Sequence, residues 1–186
     1  MARIDLFLVR HGEAAAGYAQ HRDPGLSTLG AKQAAVAAQR LTALNLSAPK
    51  VLASPLARAQ ETAAPFAETL GLRPQLETRI SEIPAPDEAL EARAPWLREV
   101  MAGTVEGLPP AQQAWRGALL TCLCEATTPS VFFSHFVAIN LAVGAATGSS
   151  AMVSFRPGNG SITHLQTDGS QLYLIGLGDE ADSVVN

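Results

Sequence analysis

The sequence predicts an α/β fold, a three-layer α/β/α sandwich around a mostly parallel central sheet. Three observations carry that expectation. Strand-like and helix-like segments alternate in the order β-α-β-α-β, a helical insert, then β-α-β-β, as when crossover helices join parallel strands. The runs at 6–9 (LFLV), 51–53 (VLA) and 131–133 (VFF) are short and continuously apolar, which suits strands buried on both faces. Each is followed by residues that a buried strand does not itself need: Arg10 and His11, then Arg58, then His135. In a parallel sheet those strand ends share one edge, the edge where open α/β sheets bind ligands.

The elements follow in order. The first strand ends in Arg10-His11-Gly12, and Gly12 allows a sharp turn or a close backbone approach. Residues 14–26 form a surface loop closing in Asp23-Pro24-Gly25-Leu26. Ser27 and Thr28 are candidate N-caps for a helix to about Leu44, with Leu29, Val36, Ala37, Leu41 and Leu44 as its buried stripe. After the strand at 51–53, Ser54-Pro55 reads as an N-cap with proline at the first helical position. The helix it opens runs to about Leu70 and ends at Gly71, with Leu56, Ala63, Ala67 and Leu70 on one face. Arg58 falls in its first turn, where a cation opposes the helix dipole, so its placement calls for another reason.

A third, more polar strand is expected over 72–79. Residues 82–110 are punctuated by five prolines and have room for a helix near 87–102. Another helix follows Pro110, with Trp115, Leu119 and Cys122 on one face. The strand at 131–133 ends in Ser134-His135. Residues 136–147 are apolar nearly all round and read as a buried helix stopped by Gly148. Two strands near 162–166 and 172–176 flank Thr167-Asp168-Gly169-Ser170, a hairpin turn. The expected division is one domain over 1–178 and an acidic tail over 179–186 that is a candidate for disorder.

Composition narrows the function classes. Of 186 residues, 47% are hydrophobic and 16% charged, as in an ordinary globular protein. A formal net charge of −4 argues against a nucleic-acid partner, which a basic stripe would announce. Cys122 and Cys124, two apart in a helical segment, point to different faces and are expected to be free thiols, as in a reducing compartment. The N-terminal apolar run is too short and too soon interrupted by charge for a signal peptide, and no apolar run is long enough to span a membrane. The expected location is the cytoplasm, with no membrane partner. The oligomeric state is left open.

Arg10, His11, Arg58 and His135, converging at strand ends, would repel one another without an anion, and their imidazole pKa values would fall. A phosphoryl group resolves this, since a guanidinium suits bidentate phosphate contact. The expected partner is therefore a small phosphorylated substrate or phosphate. A neutral imidazole at His11 is a competent nucleophile near neutral pH. Arg10, Arg58 and His135 would stabilise the equatorial oxygens, and with that much positive charge no metal or cofactor is required. His21 and Arg22 are candidates for substrate contact, set against a solvated loop pair. His164 reads as a surface or satisfied core histidine, Asn140 as a buried hydrogen-bonded residue and Glu61 as a first-turn acid. Trp96 and Trp115 read as core packing.

The segments LVRHGE at 8–13, DPGLSTLGAKQA at 23–34, ASPLARAQETA at 53–63 and FFSHFVAIN at 132–140, in this order, resemble the histidine phosphatase superfamily, with its phosphoglycerate mutase-like fold. The resemblance covers about residues 4–166. It implies that His11 is phosphorylated during turnover and that Arg10, Arg58 and His135 hold the phosphoryl group. It also implies a glutamate proton donor, best matched by Glu82 in ISEIPAP, with Asp87 and Glu88 as rivals. Two departures bear on substrate: Phe136 stands where the family often has glycine, and IPAPDEAL replaces its tryptophan-glutamate-glycine element. The insert between Glu82 and His135 is short for a glycolytic mutase. The implied activity is a metal-independent phosphatase acting on a small phosphomonoester. The alternatives are a protein phosphohistidine phosphatase, mutase-type phosphoryl transfer and a non-catalytic phospho-ligand module.

Overall fold

A computed structural model describes residues 2–17, 20–85 and 89–181. Its centre is a six-stranded sheet in the order β3-β2-β4-β1-β5-β6. The strands are β1 (Ile4–Arg10), β2 (Lys50–Ala53), β3 (Gln75–Leu76), β4 (Ser130–Ser134), β5 (Ile162–Thr167) and β6 (Leu172–Gly176). Strands β3, β2, β4 and β1 run parallel to one another, whereas β5 runs antiparallel to both β1 and β6. The sheet is mostly parallel, as expected. The third strand is shorter than expected: after Leu76 the chain turns into a 3₁₀ segment at Thr78–Ile80.

Alternation along β1 feeds two cores. Phe7 and Val9 pack with α1 (Thr28–Ala43) and α2 (Ala57–Thr69). Leu6 and Leu8 pack on the other face with α4 (Pro110–Cys124) and α5 (Phe136–Thr147). Helix α3 (Leu90–Met101) adds Trp96 and Leu97 to the edge of this second core, which also takes in Trp115. Helices therefore cover both faces of the sheet, and the three-layer expectation holds.

Helix α1 starts where expected, with the Ser27 hydroxyl accepting from Gly30 N at 3.0 Å, but it buries a different face. Gly30, Ala34, Ala37, Ala38 and Leu41 are inside, whereas Leu29, Val36 and Leu44 are about half exposed. The small residues allow α1 and the turn after β1 to approach closely. A Cβ at Gly30 would lie 2.1 Å from Glu13 O, and one at Gly12 would lie 2.4 Å from Gly30 O. Steric closeness, not side-chain hydrophobicity, chose the face. In α2, Phe66 takes the buried place expected of Leu70, which is exposed.

Gly148 ends α5 in the left-handed conformation, φ +73°, as its position predicts. Asn140, fully buried in α5, accepts from Ser154 N at 2.8 Å and Phe155 N at 3.1 Å, so it pins the following loop. Residues 179–181 pair with 156–158 through Gly158 N to Asp179 O and Ala181 N to Arg156 O, both 2.8 Å, and Arg40 pairs with Asp179. That part of the tail is held in place; the remainder lies outside the described residues. His164 pairs with Asp5 at 2.7 Å and stacks on Phe7. Among the described residues Cys122 and Cys124 are free, and no helix is long and apolar enough to cross a membrane.

Candidate active site

The sheet register assembles the site. Arg10 on β1 pairs with Ser134 on β4, and Ala53 on β2 with Phe133. Three chain segments therefore leave the same sheet edge side by side. His11 follows β1, and its N donates to Ser134 O at 3.0 Å. His135 follows β4, and the two imidazole centroids lie 5.1 Å apart. Arg58 reaches in from the first turn of α2.

The turns themselves are cross-tied. Gly12 N donates to Thr62 Oγ1 at 2.9 Å, and that hydroxyl donates to Arg58 O at 2.6 Å. Asn159 Nδ2 donates to His11 O at 2.9 Å, and Gly160 N to Arg10 O at 2.9 Å. All four groups are buried: Arg10, His11, Arg58 and His135 are 7%, 9%, 6% and 0% exposed.

Hydrogen-bond chemistry sets the histidine tautomers, that of His11 through a short bond of 2.7 Å and that of His135 through a longer one of 3.4 Å. His11 Nδ1 lies 2.7 Å from Gly12 O, and a carbonyl can only accept, so Nδ1 carries the proton. The lone pair is on Nε2, where Arg58 Nε donates at 3.2 Å. His135 Nδ1 lies 3.4 Å from Arg58 Nη2, and a guanidinium can only donate, so Nδ1 holds the lone pair. His135 Nε2 then donates to Ser54 Oγ at 2.8 Å.

Electrostatics agree. Burial, reinforced by Arg58 and Arg10, holds His11 well below the usual imidazole range. Burial, then His11 and both arginines, does the same to His135. Burial lowers Arg10 to about 10, which leaves it charged at neutral pH. Its Nη1 donates to Pro157 O at 2.7 Å, and its guanidinium lies over the Phe136 ring at 5.2 Å. Phe136 thus forms a floor for Arg10.

Glu82 follows the 3₁₀ segment, and its carboxylate accepts from Val137 N at the start of α5, at 3.2 and 3.3 Å, and from Ile83 N at 3.0 Å. Burial raises its pKa despite those bonds and the nearby arginines. It lines a cavity of about 90 Å³ together with Arg10, His11 and Arg58. His21, Arg22 and Pro24 line the cavity from the loop after β1, and Leu97 and Met101 of α3 from the other side. Asp87 and Glu88 lie outside the described residues.

Two expected roles are different in the structure. Ser54 does not cap α2 at its first residue. Asp23 does so from the preceding loop, accepting from Ala57 N at 2.8 Å, with Arg58 Nη1 3.9 Å away. Ser54 is thereby left to meet His135. Glu61 is not a first-turn acid; it accepts from Leu26 N at 2.6 Å and ties the 23–26 loop to α2. Asp23, Ser54, Thr62 and Asn159 are site-building residues that the sequence reading missed. Three of them stand in the motifs, Asp23 and Ser54 with local explanations, a turn and a cap, and Thr62 without one. Nothing local marks Asn159, which meets His11 only through the fold.

The fold and its strand-end cluster define the phosphoglycerate mutase-like class of α/β sandwich. The chain belongs to the histidine phosphatase superfamily (branch 1), whose family model matches residues 6–180. It is similar to an uncharacterized protein of Picosynechococcus sp., 39% identical over 97 residues, half of this chain and 56% of that protein's length. It is also similar to the probable phosphoglycerate mutase GpmB of Yersinia enterocolitica, 28% identical over 73% of this chain and 71% of that protein. Two solved structures share the fold. One is a mycobacterial glucosyl-3-phosphoglycerate phosphatase in complex with VO3, with TM-score 0.74, 23% identity and coverage of 95% of this chain and 100% of that one. The other is a phosphoserine phosphatase from Entamoeba histolytica in complex with 3-phosphoglyceric acid, with TM-score 0.73, 21% identity and coverage of 95% and 97%.

Proposed function

We propose that this protein hydrolyses a small phosphomonoester through a phosphohistidine on His11, without a metal. The observation that carries this reading is the His11 tautomer. With its proton committed to Gly12 O, Nε2 offers its lone pair at the cavity wall. The incoming phosphoryl group displaces the Arg58 bond to Nε2, and Arg58 and Arg10 turn their donors to the equatorial oxygens. His11 Nε2 attacks phosphorus in line, the N–P bond forms and the ester P–O bond breaks. Glu82, kept protonated to higher pH by burial, gives its proton to the leaving oxygen. The resulting carboxylate then takes a proton from water, which attacks phosphorus and frees His11 as phosphate leaves.

Two arginines supply the charge that a metal would otherwise supply, so turnover survives chelation. The small cavity and its lip of His21 and Arg22 favour a compact leaving group that those side chains touch. The match to a probable phosphoglycerate mutase keeps phosphoryl transfer to a second hydroxyl as the alternative.

The test is a trapped intermediate. Purified protein is mixed with a panel of small phosphomonoesters in EDTA, quenched with denaturant and kept from acid. Mass spectrometry should find one phosphoryl group, labile in acid and stable in base, on His11. Turnover with no such adduct, or activity that EDTA removes and a divalent ion restores, overturns the mechanism.

A further inference from the structure

His135 poses a problem of proton placement. In the structure its Nδ1, the edge facing Arg58, which itself lines the cavity, carries a lone pair. An oxyanion also presents lone pairs, so this edge cannot hold one until Nδ1 gains a proton. One route makes His135 an imidazolium. That route adds a charge to a fully buried ring 5.1 Å from His11 and faced by Arg58 of α2 and Arg10 of β1. Glu82, the nearby carboxyl, is engaged with Val137 N and Ile83 N. The other route keeps the ring neutral and moves its proton from Nε2 to Nδ1. It requires a neighbour of Nε2 that accepts in one state and donates in the other.

Ser54 is such a neighbour. It is fully buried, and its Oγ lies 2.8 Å from His135 Nε2. In the structure Oγ accepts from His135 and from Leu56 N at 3.3 Å, and its own proton points to Ser81 Oγ at 3.4 Å. That last bond is long, so little is lost when the hydroxyl turns. A carboxylate here could only accept and would hold the proton on Nε2; an alanine could do neither.

We propose that Ser54 is a positioning residue that lets His135 exchange tautomers, donating from Nδ1 to a bound oxyanion while staying neutral. On binding, Nε2 gives up its proton to solvent, Nδ1 takes one up, and the Ser54 hydroxyl rotates from Ser81 to donate to Nε2. The net proton count at His135 does not change. The proposal rests on the oxyanion site described above.

The test uses sulfate, whose charge is constant over the working range, with the full chain. Nitrogen NMR of ¹⁵N-histidine-labelled wild type should report the Nε2–H tautomer of His135 without sulfate and the neutral Nδ1–H tautomer with it. Sulfate inhibition is then followed from pH 6 to 9 in wild type and Ser54→Ala. In the variant the neutral Nδ1–H ring has no donor for its buried Nε2, so His135 donates from Nδ1 as an imidazolium, protonated at both nitrogens. The ratio of variant to wild-type inhibition constants should therefore climb with pH, by up to about tenfold per unit. A purely structural role predicts a ratio that does not change with pH, and that result overturns the proposal. So does wild-type His135 that binds sulfate as an imidazolium or with its lone pair still on Nδ1; these spectra decide the matter even where the variant fails to fold. Sulfate binding with no tautomer change sinks the Ser54 role alone, whereas no binding of sulfate or vanadate sinks the oxyanion site with it.

Discussion

The inner and outer halves of the cavity are built differently. The inner half, with Arg10, His11 and Arg58 and with His135 packed behind them, hangs on sheet register and on backbone ties across β1, β4 and the turn at 159–161. Every side chain there is buried, and the His11 tautomer is fixed by the Gly12 carbonyl, which can only accept. The outer half comprises His21, Arg22, Leu97 and Met101, from a loop and from α3, a helix that buries none of its residues fully. Its loop is held by a few side-chain bonds from Asp23 and Glu61 to α2 and its neighbours. The difference separates the reaction from the choice of substrate. Chemistry needs atoms fixed to a fraction of an ångström, and the sheet supplies that. On the proposed function, selectivity would reside in the outer wall, which can be rebuilt without disturbing the sheet.

The sharpest way to break this division is at its centre. His11→Ala should lower turnover by about 10⁴-fold or more, because it removes the nitrogen proposed to attack phosphorus. Single-turnover assays check this, and substantial residual activity would move the nucleophile elsewhere. Next in size is Glu82→Gln, expected to slow alkyl phosphates by about 10²–10⁴-fold, the usual worth of a general acid. An activated aryl phosphate, whose phenolate leaves unaided, should suffer less in the phosphorylation step. Equal slowing for both esters would make Glu82 a spacer for Val137 and not a proton donor.

Stability against pH tests the burial of the inner half. His11 and His135 are held below the ordinary value of 6.5, so below that pH the unfolded chain takes up protons that the native site refuses. Stability should fall as pH drops through 6.5 and below, by at most about 1.4 kcal/mol per pH unit for each histidine. Glu82 works the other way: its raised pKa stabilises the fold at low pH, and that contribution is lost as pH rises through the folded value. Melting temperatures of wild type and of His11→Ala across pH 4–8 should show a shallower acid limb in the variant. Identical limbs would mean that His11 titrates as freely in the fold as in the unfolded chain.

Asp23→Ala links the halves. It removes the cap on α2 and should cost about 1 kcal/mol, read as a lower melting temperature. Because Arg58 sits in that same first turn, kcat should fall as well, and a normal kcat would show that the loop does not steady the inner half. The smallest expected effect is at the lip. Arg22→Ala should raise KM about threefold and leave kcat unchanged, the mark of an interaction made equally in ground and transition states. A larger loss in kcat would extend the rigid, reacting half outward to the loop.

The sequence by itself determined the fold class, the strand ends and the identity of the four inner groups. Short apolar runs and helix boundaries are local signals, and Arg10, His11, Arg58 and His135 each stand directly after or beside such a signal. Family resemblance then supplied Glu82. What only the tertiary structure decided is how those groups are arranged. Nothing local says that β4 inserts between β1 and β2, yet that order sets His11 beside His135. The buried face of α1 keeps Ala37 and Leu41 but leaves out Leu29, Val36 and Leu44, because close packing of Gly30 and its alanines outweighs the larger apolar side chains. Ser54 and Asp23 exchanged their expected roles for the same reason. A hydroxyl or carboxylate takes the partner that its surroundings present, and those surroundings come from residues 34 to 81 positions away in the chain.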